Sequence, residues 1–387
     1  MVTRKKRILL LGDARQVHIK RWSRYLIDSG YDVITASLDP IAGVPGRLEQ
    51  IRIPDFLPDV LRYPMAVPAA RRIIRRFSPH LVNAHFTPNY GVIAALSGFQ
   101  PWVLSTWGSD IMLLPQRSPF HSARTRYVIK RAASITSDAD VMSERLVTLG
   151  ADPNRVVTFP FGVDRNVFYP VETDGARHPG GQTTGAADAE REKTRRRGPA
   201  APHARVLSNR KHEAVYNIDT IISAWPQVAR VLDTPALTVA GTGSLSKKLR
   251  ASAQSAPGID FTGDVAHENI PALLRKHDIF VSIASSDTTS VSLLEAMACG
   301  LFPVVSDIPA NREWIRHGKN GLLVPPRDAR ALADAVVMAW NNHELRLTAK
   351  NHNVDLIASR ADWFENMKLV KNVFDRLIEP VKAFSRG

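Results

Sequence analysis

Short apolar runs alternate with amphipathic stretches along most of the chain. Arg7–Leu11 is a continuous apolar run ending in Gly12-Asp13, the pattern of a strand buried on both faces. His18–Ser29 carries helical periodicity and stops at Gly30. Tyr31–Ala36, Leu81–Ala84, Val103–Thr106, Ile135–Ser137 and Val156–Phe159 read as further strands. Helices are predicted over Ala66–Phe77, Tyr90–Leu96, Arg124–Ala133 and Val141–Leu149. The second half repeats the alternation. Its strands are Val206–Ser208, Leu237–Ala240, Ile259–Thr262, Ile279–Ile283, Phe302–Val305 and Gly321–Val324. Helices fall over Ile218–Leu232, from Leu245, over Ile270–Lys276, Val291–Ala298, Asn311–His317 and Asp328–Asn341, and in the C-terminal stretch. Short strands separated by helices predict parallel sheets covered on both faces, here two doubly wound α/β domains in tandem. Ligands of such sheets bind beyond the carboxyl ends of the strands, and the cleft between two such domains is the default site.

Residues 171–204 break the pattern. They hold one Val and no other large apolar or aromatic residue. Such a stretch cannot bury enough surface to offset its ordering entropy, so a flexible linker is expected between a domain over 1–170 and one over 205–359.

Composition narrows the class. The 387 residues contain a single cysteine, Cys299, which excludes an internal disulfide and fits a reducing compartment. No apolar run approaches the ~20 residues a membrane-spanning helix needs. The basic start is followed by an apolar run too short for a signal-peptide core, so the expected location is the cytoplasm. Net charge is +14, and residues 1–170 hold 23 Lys+Arg against 13 Asp+Glu. That excess suggests an anionic partner for the first half, although a solvated basic face is an equal alternative. Arg71, Arg72, Arg75 and Arg76 share one face of the 66–77 helix and, with Arg124, Arg126, Lys130 and Arg131, suggest contact with an anionic membrane surface or acceptor. No nucleic acid is expected, because no recognised motif or interleaved stacking aromatics accompany the charge.

The richest segment runs Ser285-Ser-Asp-Thr-Thr-Ser-Val-Ser-Leu-Leu-Glu295 and on through Ala-Met-Ala-Cys-Gly300. A strand ends, a small polar run follows, and a helix begins. Exposed backbone N–H groups at a helix N-terminus make an anion site. Thr288, Thr289 and Ser290 add hydroxyls there, and Glu295 lies among apolar neighbours, where a carboxylate needs partners. An N-cap run with one partly buried Glu explains the same residues and stays open at this point.

This segment resembles the family-4 (GT4) retaining glycosyltransferases, the glycosyl transferases of group 1, which have the GT-B fold. The family places an acidic residue eight positions before a Glu, followed by a small-residue turn. Here the pair is Asp287, in place of the usual Glu, and Glu295, and Glu-Ala-Met-Ala-Cys-Gly300 and Leu-Phe-Pro-Val-Val-Ser306 follow. Asn320-Gly-Leu-Leu-Val324, Phe159-Pro-Phe-Gly-Val-Asp164 and Phe168-Tyr-Pro170 extend the likeness in the same order.

The resemblance implies an α/β protein with two Rossmann-like domains facing a central cleft, and a C-terminal helix, 360–387, that completes the first domain. It implies transfer of a hexose-type sugar from a UDP- or GDP-linked donor to a glycan, lipid-linked or small-molecule acceptor, with retention and without a metal or other cofactor. Glu295 would bind the nucleotide ribose, the amides around Thr289 and Ser290 the diphosphate, and Asp287 the sugar hydroxyls. Arg210, in Val206-Leu-Ser-Asn-Arg-Lys-His212, matches the family's diphosphate Arg, whereas the Lys downstream is replaced near Tyr216-Asn217. Gly241-Thr-Gly243 is similar to the family's turn near the donor, with a plain strand-to-helix turn as the competing reading. In the first half, Gly12, Asp13 and His18 occupy the loop beside the donor and acceptor, with His18 a candidate catalytic group. Trp107 stands where the family has His, leaving Asp110 as the acceptor-side candidate, and His85 also ends a strand. A nucleotide-sugar epimerase and a non-catalytic sugar-binding protein remain as alternatives.

Overall fold

A computed structural model describes residues 5–39, 43–54, 56–171 and 203–379. They form two compact units. One holds the chain up to Phe161 and again from Phe364, the other Gly162–Trp363. The first sheet has seven strands: β1 (Arg7–Leu11), β2 (Asp32–Ser37), β3 (Arg47–Gln50), β4 (Leu81–His85), β5 (Trp102–Ser105), β6 (Ser134–Ser137) and β7 (Val156–Thr158). All pairs are parallel, in the order β3-β2-β1-β4-β5-β6-β7. The second sheet has β8 (Arg205–Ser208), β9 (Ala236–Ala240), β10 (Ile259–Gly263), β11 (Ile279–Ser282), β12 (Phe302–Ser306) and β13 (Leu322–Val324). It is also parallel, in the order β10-β9-β8-β11-β12-β13. In each sheet the order reverses once, between β1 and β4 and between β8 and β11. These switch points, at the carboxyl ends of the strands, are where doubly wound sheets bind ligands.

The central strands are buried because helices cover both faces of each sheet. Leu9, Leu11, Val82, Leu104 and Ile135 sit in the first core, and Val206, Val239, Val281 and Val304 in the second. The division falls at Phe161/Gly162 rather than after Pro170, because Val163 pairs with Asp362 and both Val163 and Phe168 enter a core of the second unit. The expected linker lies outside the described residues except for Val171, His203 and Ala204. Three elements of the first unit escaped prediction: β3, with Leu48 its one large apolar residue, the helix Asp59–Met65, which contains Pro64, and the single-turn helix Ser109–Met112. The helix predicted at Arg124–Ala133 runs instead over Pro119–Ile129, where the Ser118 hydroxyl accepts from the His121 N–H and Pro119 opens the first turn. Among the described residues no helix is long and apolar enough to cross a membrane.

The helix Trp363–Ile378 buries Met367, Val370 and Phe374. Asp375 on it accepts from Lys6 Nζ (2.9 Å), Tyr31 Oη (2.8 Å) and Lys371 Nζ (2.5 Å). Partial burial pushes this carboxyl up, but the three donors outweigh it and hold it at about 2. A depressed carboxyl stabilises above its unfolded pKa and loses that contribution as pH falls through the folded one. We therefore expect the helix to lose on the order of 1–2 kcal/mol of docking between about pH 4 and pH 2. Acid unfolding of Asp375→Asn, in which this component is missing, checks it.

Candidate functional site

The carboxyl end of β8 carries Arg210, and the neighbouring β11 leads through a buried loop into the helix Val291–Ala298. Arg210 is 8% exposed and donates from Nη2 to Asp287 Oδ2 (2.6 Å) and from Nη1 to the hydroxyls of Ser292 (2.8 Å) and Ser290. The Tyr216 ring lies 4.3 Å from its Cζ. Burial works against the guanidinium, but Asp287 and Tyr216 outweigh it and raise its pKa. A fixed cation therefore stands at the switch point beside a helix N-terminus, an arrangement suited to a diphosphate. Ser290 also caps that helix by accepting from the Leu293 N–H (3.4 Å). Thr288, Thr289 and Glu295 are each 5% exposed or less, so their side chains are fixed by the protein.

Asn217 braces the loop. It adopts a left-handed backbone (φ 47°), and its Nδ2 donates to the Ile283 carbonyl and the Ser285 hydroxyl, each at 2.7 Å. Sequence reasoning missed Asn217 and Ser292 as site residues. It also noted Tyr216 only as a gap, although Tyr216 packs on Arg210 where the family's Lys is missing.

The turn at Gly241-Thr-Gly243 has an intramolecular reason. A Cβ on Gly243 would lie 2.5 Å from the His212 carbonyl oxygen, and one on Gly241 2.7 Å from that of Arg210. The turn must press on the Arg210–His212 backbone, which it also holds through His212 N–H to the Thr242 carbonyl (3.1 Å). Gly243→Ala is thus expected to shift Arg210 and cost about 1–3 kcal/mol. Thermal unfolding of the variant checks this.

In the first unit the predicted residues meet at the ends of β1, β4 and β5. His85 is fully buried and accepts from Trp107 Nε1 (3.2 Å), and burial, reinforced by His18, drives its pKa down to about 3. It is therefore a neutral acceptor that fixes the indole. The His18 ring packs 5.5 Å from Trp107 and 5.1 Å from Phe161. Phe86, between His85 and Thr87, has φ 71°, a strained value for a bulky side chain and common at functional positions.

Asp110 faces inward. Its carboxylate accepts from the Thr87 N–H (2.9 Å), the Thr87 hydroxyl (2.8 Å) and the Trp107 N–H (3.0 Å). Burial raises its pKa against those bonds. At 0% exposure it braces the Trp107 loop rather than reaching toward an acceptor. Asp13 is held by Arg15 through Nε and Nη2, both at 2.9 Å. Gly12 lets the helix Val17–Asp28 approach β1, since a Cβ there would meet Ile19 Cδ1 at 2.3 Å. Among the described residues no group of three His, Cys, Asp or Glu could hold a metal ion.

Residues 7–139 match the family model described as glycosyl transferase 4-like, and residues 205–342 that described as glycosyl transferases group 1. The phosphatidyl-myo-inositol mannosyltransferase of Mycobacterium leprae is 33% identical over 160 residues, 41% of this chain and 42% of that protein. The matched segment thus spans less than half the length of this curated relative. Among solved structures, sucrose-phosphate synthase from Thermosynechococcus elongatus is similar with a TM-score of 0.80 at 16% identity, over 96% of this chain and 99% of that one. HepE of Anabaena, in complex with UDP-glucose, gives 0.75 at 14% identity, over 95% and 99%. At such identities the structures speak for the fold alone. With both halves matched in order by the paired family models, the chain belongs to the GT4-like, group 1 glycosyltransferases and has the GT-B fold.

Proposed function

We propose that the protein transfers a hexose-type sugar from a nucleotide diphosphate sugar to a glycan, lipid-linked or small-molecule acceptor, with retention of configuration. The observation that carries this reading is the buried Arg210, joined to Asp287, Ser290 and Ser292 at a switch point and a helix N-terminus. Arg210, Ser290 and the first amides of the helix hold the diphosphate. Glu295 takes the ribose hydroxyls, and Asp287, oriented by Arg210, faces the sugar. Thr288 and Thr289 shape the loop between them, while Gly241 and Gly243 position the backbone beneath Arg210. The bond from the anomeric carbon to the diphosphate oxygen breaks, and a bond to the acceptor oxygen forms on the same face. The acceptor proton passes to the departing diphosphate. Arg210 and the helix amides stabilise the charge that develops there.

The first unit binds the acceptor, with His18 and Trp107 as the contact candidates and Gly12, Asp13, His85 and Asp110 as their support. The reaction takes place at the cytoplasmic side and needs no metal, so turnover is expected to be unchanged in excess EDTA. A rate that falls with the chelator and returns with a divalent cation would contradict that. The test of function is an acceptor screen with UDP- and GDP-linked sugars, the UDP conjugates first because HepE holds UDP-glucose. Sugar transferred to an acceptor supports the proposal. Altered donor sugar without any acceptor indicates an epimerase, and binding without turnover a non-catalytic protein.

A further inference from the structure

The first unit contains a cavity of about 330 Å³ lined by none of the residues assigned to sugar transfer, although Pro88 in its wall follows Thr87 in the chain. Tyr63, Pro88, Val92, Leu96 and Phe120 form apolar walls, and Arg124 is the one charged side chain among the lining residues. The volume falls at the small end of the range for ligand pockets. The Nε of Arg124 is buried and has no acceptor among the described residues. Burial lowers the pKa of this guanidinium from its ordinary value without a carboxylate to compensate. A buried donor left this way costs free energy that an anionic ligand would recover.

The surroundings are amphiphilic in the same sense. Phe120 is 56% exposed and Tyr127 37%, while Leu61 and Met65 on the helix Asp59–Met65 are 49% and 51%. Arg124 lies over the Phe120 ring, and Arg131 over that of Tyr127, at 5.6 and 3.6 Å. Residues 60–137 hold ten Lys and Arg against one carboxylate, Asp110, which is fully buried and bonded to Thr87 and Trp107. Arg117, Arg126, Lys130 and Arg131 form no ion pair with a described residue. An apolar cavity with a cation in its wall, exposed aromatics beside it and a clear excess of basic side chains around it selects one chemistry: a hydrocarbon chain carrying a phosphate. Neither a neutral lipid nor a free phosphate would use both features.

We propose that this cavity seats the chain of an anionic membrane lipid, with its phosphate on Arg124. The site is independent of the sugar-transfer reading, because it requires only binding. The test is calorimetric titration of the full chain with dodecyl phosphate below its micelle point, beside inorganic phosphate and a neutral dodecyl glycoside. Dodecyl phosphate is expected to bind about tenfold or more tightly than either control. Ala123→Trp and Leu96→Trp, which fill the cavity from two sides, are each expected to weaken it about tenfold. Arg124→Gln should bring dodecyl phosphate down to the level of the neutral glycoside. Unchanged melting temperature and nucleotide binding show that each variant is folded. Equal affinity for inorganic phosphate, undiminished binding in a folded cavity-filling variant, or no binding to wild type would each overturn the proposal. Loss of nucleotide binding in the wild type would bear on the sugar-transfer reading alone.

Discussion

Arg210→Ala is expected to lower kcat/KM by about 10²–10³-fold, the range seen when one donor to a developing oxyanion is removed. In the proposed reaction the side chain has two functions in one place. Its fork joins Asp287, Ser290 and Ser292 into a unit, and its charge would stabilise the diphosphate. Alanine removes the cation and leaves a partly buried Asp287 without its partner, the Asp287 side chain being 18% exposed. Breaking such a pair from one side costs about 3 kcal/mol, so the variant is also expected to melt at a lower temperature. Arg210→Lys separates the two effects. A lysine restores charge but cannot reach three acceptors in one plane, so stability should recover more than rate. Steady-state kinetics and thermal unfolding of the two variants check this. An alanine variant with normal kcat/KM would remove Arg210 from the chemistry.

Glu295→Ala is expected to weaken binding of a nucleoside diphosphate by about 10²-fold while leaving inorganic pyrophosphate affinity near that of the wild type. A buried carboxylate accepting from two ribose hydroxyls contributes about 1.5–3 kcal/mol per bond, less what solvent supplies in the free ligand. Pyrophosphate has no ribose and would not report the loss. Arg210→Ala should weaken both ligands. The contrast between the two variants assigns the two halves of the nucleotide to two named side chains. Equal weakening of pyrophosphate in Glu295→Ala would mean that the carboxylate supports the loop rather than the ribose.

Much of this architecture was legible in the sequence because buried parallel strands leave a strong signal. Arg7–Leu11, Leu237–Ala240 and Val291–Ala298 were read to within a residue, since their apolar runs end in Gly, Asp or a capping Ser. β3 was not legible: its Arg-Leu-Glu-Gln sequence sits partly exposed at a sheet edge, where apolar alternation is not required. Asn311–His317 carries helical spacing, but regular helix there is confined to Pro309–Arg312. In the site, Arg210 and Asp287 were identified separately, yet their 2.6 Å contact joins residues 77 positions apart and has no local signature. The roles of Asp110 and Asp13 were hidden for the same reason. A carboxylate that braces a loop and one that awaits a ligand look alike until its donors are known. The basic face was likewise overcounted. Arg76 pairs with Glu49 at 2.6 Å, which leaves Arg71, Arg72 and Arg75 as the charges of that helix without an ion pair among the described residues, Arg71 also donating to the Leu96 and Ser97 carbonyls.

The most direct test of the account is calorimetric titration of the wild type and Glu295→Ala with UDP, GDP, ADP and their common sugar conjugates. Tight binding of UDP or GDP by the wild type is expected, weakened about 10²-fold in the variant although both melt cooperatively. A well-folded wild type that binds none of these ligands, or a Glu295→Ala variant that binds as tightly as the wild type, would contradict it.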